Sequence, residues 1–222
     1  MFDRLINLIG EDNLEKIKKS NVVLVGVGGV GGFVLEALVR SGITKITIYD
    51  NDCISLSNLN RQIISNIDNI DNEKVKEAKK RIKKINPDVK LKIYNTKISN
   101  ENIDILKDFD YIIDACDDVL AKVAMIKYAK ENAIKIICAL GTGKRLDPTH
   151  IELTTLDKTY NDPLAKKIRN LLGKEKIKQD IPVVYASNKP LNNDVVIASC
   201  IFPPAVAGIY MAYYIINDII KE

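Results

Sequence analysis

The chain has 222 residues, of which 46% are hydrophobic and 28% are charged, and its formal net charge is +4. That composition supplies a core for one large α/β domain and excludes a disordered chain; the mild positive charge alone says little about partners. No two of the four cysteines, Cys53, Cys116, Cys138 and Cys200, form a Cys-x-x-Cys pair, which excludes a zinc knuckle built from cysteine pairs.

The start, Met1-Phe2-Asp3-Arg4, lacks the basic region and apolar run of a secretory signal, so a reducing cytoplasm is the expected setting. Residues 1–20 read as a helical arm. A β-branched strand follows at Asn21–Val25, then a helix over 29–41, then an alternating strand at Lys45–Tyr49. Residues 51–69 are irregular. A charged amphipathic helix at 73–85 stops at Asn86-Pro87. Strands are predicted at 91–94 and 110–114, a helix at 121–132 and a strand at Lys135–Ala139. Alternation at this spacing predicts an α/β fold. Its sheet is doubly wound, mainly parallel and Rossmann-like, with helices on both faces. After Gly143 the rhythm changes to a strand at Ile151–Thr155, a basic helix at 163–172 and a short strand at 183–185. These read as a C-terminal extension of the same sheet. The whole chain, 1–222, is expected to be one domain, with its nucleotide-binding core at 21–143 and a substrate and dimer part at 144–222. Residues 195–216 carry no charge, but Pro203-Pro204 divides them. They are expected to form a buried strand, a turn and then a core or dimer-interface helix starting at the prolines, without membrane insertion.

The first strand runs into Gly26-Val27-Gly28-Gly29-Val30-Gly31 and a helix. Glycines allow a tight turn and close approach to a phosphate, and the helix start favours negative charge. Asp50, ending the second strand, is placed for a ribose hydroxyl. This much says adenine nucleotide and leaves ATP and NAD both open. The polar run after it discriminates, because Asp52, Asn58, Arg61 and Gln62 stand where a dehydrogenase usually enters a helix. A triphosphate needs several such groups, and arginine clamps phosphate oxygens with two bonds. Lys74, opening the next helix, adds a further cation, although its spacing alone suits a solvated helix residue better. The fourth strand ends in Asp114-Ala115-Cys116-Asp117-Asp118. Asp118 is expected to cap the following helix and Asp117 to hold magnesium on the phosphates. Gly141-Thr142-Gly143-Lys144-Arg145 lacks the Ser or Thr and the earlier glycine of a P-loop. Cys116 and Cys138 read as reduced core thiols and Cys200 as core. His150, the only histidine, reads as a half-exposed strand residue. A basic cluster, Lys158, Lys166, Lys167, Arg169, Lys174, Lys176 and Lys178 with Lys144 and Arg145 before it, suits RNA phosphates or a solubilising face equally.

In combination, Gly-x-Gly-Gly-x-Gly, Asp50-x-Asp52, Ser57-Asn58-Leu59-Asn60-Arg61-Gln62, Lys74 and Asp117 resemble the ubiquitin-activating, ThiF and MoeB superfamily, which adenylates carboxylates. The resemblance implies that Gly26, Gly28, Gly29 and Gly31 meet the phosphates and Asp50 the ribose. It further implies that Arg61 and Lys74 contact the triphosphate and that Asp117 organises magnesium. Arg4 would reach the partner subunit's ATP in a homodimer. The second half, with Leu146-Asp147-Pro148-Thr149, Asp162-Pro163-Leu164-Ala165-Lys166, Pro182-Val183-Val184-Tyr185 and Pro203-Pro204-x-x-x-Gly208, resembles the tRNA threonylcarbamoyladenosine dehydratase branch. That branch implies ATP-dependent cyclisation of threonylcarbamoyladenosine in tRNA through a carboxyl-adenylate. It leaves open a monovalent cation near the site and a sulfur-transfer partner protein. The competing readings are adenylation of a ubiquitin-like sulfur carrier, which usually goes with the zinc site missing here, and an NAD oxidoreductase, for which His150 is the sole acid/base candidate.

Overall fold

The computed structural model describes residues 1–192 and 198–221. Two short helices, α1 (Asp3–Ile9) and α2 (Glu11–Lys19), precede the sheet, hinged at Gly10 with φ 85°. The strands are β1 (Asn21–Val25), β2 (Lys45–Tyr49), β3 (Lys90–Tyr94), β4 (Tyr111–Asp114), β5 (Lys135–Ala139), β6 (Ile151–Thr155) and β7 (Pro182–Ala186). They form one seven-stranded sheet in the order β3-β2-β1-β4-β5-β7-β6. All neighbours are parallel except β6, which pairs antiparallel with β7. The C-terminal part therefore does extend the same sheet. The chain order reverses between β1 and β4, and the crevice beyond the carboxyl ends of those strands is where open α/β sheets bind ligands.

The central strands carry nearly unbroken apolar sequence because both faces are covered. On one face lie α3 (Gly31–Arg40), α4 (Lys74–Ile85) and α7 (Phe202–Lys221), packed on Val22, Leu24, Ile46, Ile48 and Ile113. On the other lie α5 (Val119–Glu131) and α6 (Pro163–Lys174), packed on Val23, Val25, Ile112, Ile136 and Val183. The alternation of Val22/Leu24 against Val23/Val25 follows from the two-residue period of a strand.

Boundaries move by a few residues, each for a local reason. The helix expected at 29–41 starts at Gly31, since 26–30 are spent on the turn. The helix expected at 121–132 starts at Val119 because Asp118 Oδ1 accepts from the N–H groups of Leu120 (2.8 Å) and Ala121 (3.1 Å), the expected cap. The C-terminal helix begins at Phe202, with Pro203 and Pro204 in the first turn, where their missing N–H groups cost nothing. Gly208 lets it press on α3. A Cβ there would lie 2.6 Å from the Val30 carbonyl oxygen and 2.8 Å from Phe33 Cβ. The strand expected at the start of 195–216 falls largely outside the described residues. Among those described, no helix is long and apolar enough to cross a membrane.

Candidate active site

A cleft of about 550 Å³ opens at the chain reversal. Gly26, Gly28, Gly29, Asp50, Asp52, Asn58, Arg61, Gln62, Lys74 and Asp117 all line it. Gly31 lies beneath it, and Arg4, exposed on α1, does not reach the cleft of its own chain.

The glycines divide by physical role. Gly26 sits at φ 90°, and a Cβ there would lie 2.8 Å from the Ala115 carbonyl oxygen. At Gly31 a Cβ would lie 1.9 Å from the Gly26 oxygen. Both are demanded by the turn itself. Gly28 and Gly29 are not: neither has positive φ, and a Cβ at either meets nothing nearer than 3.5 Å. Their missing side chains leave bare backbone facing the cleft, which suits an approaching phosphate and serves no internal packing.

Asp50 does more than wait for a sugar. Its Oδ2 accepts from Val27 N–H at 2.8 Å and its Oδ1 from Asp52 N–H at 2.9 Å, so it also ties β2 to the glycine turn. Burial raises its pKa above the ordinary carboxylate value despite those two donors. Lys74 is not the solvated helix residue its spacing suggested. It is 6% exposed, and its ammonium donates to Asp52 Oδ2 at 2.6 Å. Asn58 is buried with its Oδ1 accepting from Ser55 N–H. Arg61 donates through Nη1 to the Ser57 carbonyl at 2.6 Å and to Asn60 Oδ1 at 3.1 Å. Its Nε and Nη2 make no hydrogen bond among the described residues. Gln62 is buried, and its Oε1 has no partner there either, an acceptor left unsatisfied. Asp117 is exposed and makes no hydrogen bond or ion pair among the described residues, whereas Asp118 is committed to its cap and to Lys97 at 2.6 Å.

Several expectations need correction. Cys138 is a core thiol, but Cys116 is half-buried and lines the cleft. Burial and the neighbouring Asp114 raise its pKa, which disfavours the thiolate a nucleophile needs. Cys200 is half-buried rather than core. His150 is exposed in a 3₁₀ turn near Asp147, away from the cleft. In the basic cluster, Arg169 turns inward to the carbonyls of Thr159 (2.9 Å) and Leu156 (3.3 Å). Arg145 is 5% exposed and donates to the carbonyls of Asn188, Gly143 and Asn161. Arg145 is thus withdrawn from any RNA and Arg169 is half-buried, while Lys158, Lys166, Lys167, Lys174, Lys176 and Lys178 remain exposed.

Sequence reasoning missed three features. Lys97, in the loop after β3, lines the cleft and pairs with Asp118; nothing in a loop sequence marks it. Thr142, Ser199 and Pro204 also line the cleft. Lys122 and Asp114, both 0% exposed, pair beneath the cleft floor. A lysine inside the apolar run of Val119 to Ile126 was the available signal for that pair.

Comparison with known proteins accords with this geometry. The tRNA threonylcarbamoyladenosine dehydratase of Bacillus subtilis (strain 168) is 32% identical over 241 aligned positions, covering 100% of this chain and 95% of that one. The enzyme of that name from Escherichia coli (strain K12) is 36% identical over 200, covering 89% and 73%. The crystal structure of E. coli tRNA N6-threonylcarbamoyladenosine dehydratase, TcdA, in complex with ATP superposes with a TM-score of 0.94 at 30% identity, covering 99% of this chain and 93% of that one. The sequence model of the ThiF family matches residues 2–207, and the chain belongs to that family.

Proposed function

We propose that this chain uses ATP to dehydrate threonylcarbamoyladenosine in tRNA to its cyclic form through a carboxyl-adenylate. The observation that carries the reading is one cleft holding a bare glycine floor, the Asp50 carboxyl, two cations and an unpartnered carboxylate, in a chain that aligns over its whole length with the Bacillus subtilis dehydratase. The substrate carboxylate attacks the α-phosphorus, and the bond to pyrophosphate breaks. Arg61 and Lys74 are held where negative charge grows, and their donors are oriented before the reaction. The ureido group of the same nucleoside then attacks the activated carbonyl carbon, and AMP leaves. Intramolecular attack in a held geometry needs no covalent enzyme intermediate, consistent with the raised pKa of Cys116.

Asp117 would hold magnesium. Among the described residues no group of three or more His, Cys, Asp or Glu forms a metal cage. Magnesium on a nucleotide asks for none, taking one or two carboxylates, phosphate oxygens and water, so one open carboxylate fits. When bound it would neutralise charge on the phosphates.

The exposed lysines of α6 and the loop after it would take tRNA backbone phosphates, with salt-sensitive affinity. Arg4 would act in the partner subunit's cleft of a homodimer. Ile209 and Tyr213, 48% and 58% exposed on α7, give such a dimer an apolar face. Four free cysteines suit the cytoplasm.

The test is incubation with ATP, magnesium and tRNA bearing the linear nucleoside. Mass spectrometry is expected to show loss of one water from that nucleoside with equimolar AMP. An unchanged nucleoside, with pyrophosphate exchange instead stimulated by a ubiquitin-like sulfur carrier, would replace this reading by the carrier one.

A further inference from the structure

We propose that Lys122 is a positioning residue. Its buried ammonium clamps the ends of β4 and β5 together and so fixes the turn that presents Asp117 to the phosphates. The inference rests on the adenylation reading above and concerns the same site.

The ammonium spends its three donors on Asp114 Oδ1 (2.9 Å), Asp114 Oδ2 (3.0 Å) and the Ala139 carbonyl (2.7 Å). Both side chains are 0% exposed. Burial disfavours the charge on the lysine, but the Asp114 carboxyl beside it outweighs that and holds the Lys122 pKa above the usual lysine value.

What the pair holds is the floor of the cleft. Asp114 is the last residue of β4, set between Val25 of β1 and Cys138 of β5. Its Oδ1 also accepts from Cys116 N–H (3.2 Å) and Cys116 Sγ–H (3.1 Å), so the carboxylate gathers the turn that Asp117 closes. The residue between, Ala115, donates to the Val25 carbonyl at 2.8 Å. Its own carbonyl oxygen would lie 2.8 Å from a Cβ on Gly26. The metal-facing turn and the phosphate-facing turn are thus packed on each other with no slack, and the Lys122–Asp114 pair is buried beneath them.

Stability is a poor reason for such a pair. A matched apolar pair of similar volume is often as stable, because two desolvation penalties disappear with the charges. Geometry is the better reason. Three directional bonds from one atom fix the spacing of two strand ends as a methyl group cannot. Groups hydrogen-bonded to a metal ligand typically set about tenfold to hundredfold in metal affinity; Lys122 and Asp114 act one step further back, through the Cys116 N–H, so the low end of that range applies.

The experiment uses the full chain with a non-hydrolysable ATP analogue and Mn²⁺ read by electron paramagnetic resonance. The double variant Asp114→Asn/Lys122→Met removes both charges without orphaning either. It is expected to melt as a folded protein and to bind the analogue without metal as the wild type does, but to bind Mn²⁺ about tenfold more weakly in the ternary complex. In an Asp117→Asn background the same pair change is expected to cause no further loss, since the ligand it positions is gone. Should the neutral pair fail to fold, Lys122→Arg, which keeps the charge on a longer planar group, is expected to weaken Mn²⁺ several-fold. A folded variant with wild-type Mn²⁺ affinity overturns the positioning role. So does one that loses metal-free analogue binding to the same degree, which would mark general collapse of the floor. Absence of Mn²⁺ binding by the wild-type complex would overturn the metal role of Asp117 itself and take this inference with it.

Discussion

At the scale of single residues, the glycine turn separates what folding needs from what a ligand needs. Gly31→Ala would force a methyl to 1.9 Å from the Gly26 oxygen, and backbone must move to relieve it. That is expected to cost about 3 kcal/mol and to lower Tm by roughly 6–12 °C. Gly28→Ala meets nothing nearer than 3.7 Å, so Tm is expected to hold while ATP affinity falls by about tenfold or more, about 1.4 kcal/mol. Calorimetry and a nucleotide titration on the two variants check both halves; equal thermal losses would refute the division. The sequence shows a run of glycines and says nothing of this difference, because only φ and the distance to the facing backbone separate the two kinds. Lys74 teaches the same lesson. From spacing it belongs to a solvated helix face, and only the packing of Asp52 over the start of α4 shows it buried and paired. Lys122 was missed although a signal was there, since a charge within eight apolar-leaning helix positions demands a partner.

At the scale of elements, strand positions were readable because β1, β4 and β5 are buried on both faces and so carry continuous apolar runs. Helix starts were read less well, since α3 has no side-chain cap to mark it and begins only where the glycine turn ends. Asp118 illustrates the energetics. Lys97 first, then the N–H groups of Ala121 and Leu120, lower its pKa below 3.8. A depressed folded-state pKa means stability that is present above the unfolded value and lost as pH falls through the folded one. Asp118→Ala is therefore expected to cost about 1 kcal/mol at pH 7, with the gap from wild type closing below roughly pH 4. Thermal melts of both proteins from pH 7 to pH 3 measure it, and a gap that persists in acid would contradict the assignment. The basic cluster shows the limit of reading charge from sequence. Arg145 and Arg169 look like their lysine neighbours in a string, yet both guanidinium groups pin loops by donating to carbonyls, a use that planar multi-donor geometry favours.

At the scale of the whole molecule, the doubly wound architecture followed from strand and helix alternation, while the antiparallel setting of β6 had no local signature. Direction in a sheet is decided by how the connection folds back, which is not a property of the strand's own residues. The outer face of α7 gives a prediction at this scale. Tyr213→Glu or Ile209→Lys is expected to convert a dimer into a folded monomer in size-exclusion chromatography with light scattering. On the homodimer proposed above, turnover is expected to fall with it, because Arg4 would then be cut off from the partner's cleft. A wild-type chain that is monomeric at micromolar concentration would remove this account.

The two turns that meet at the cleft come from opposite ends of a long excursion. The neighbouring contact of Asn21 with Asp110 spans 89 residues, and β2, α4 and β3 are threaded between them. A nascent chain that has made the glycine run has only half a binding site, and closing so distant a pairing is slow. Nucleotide can therefore recognise only the completed fold, and by mass action its presence at one hundred times the dissociation constant would deepen the native well by about 2.7 kcal/mol. In a cell rich in ATP, the fuel of the reaction doubles as a brace for the protein that consumes it.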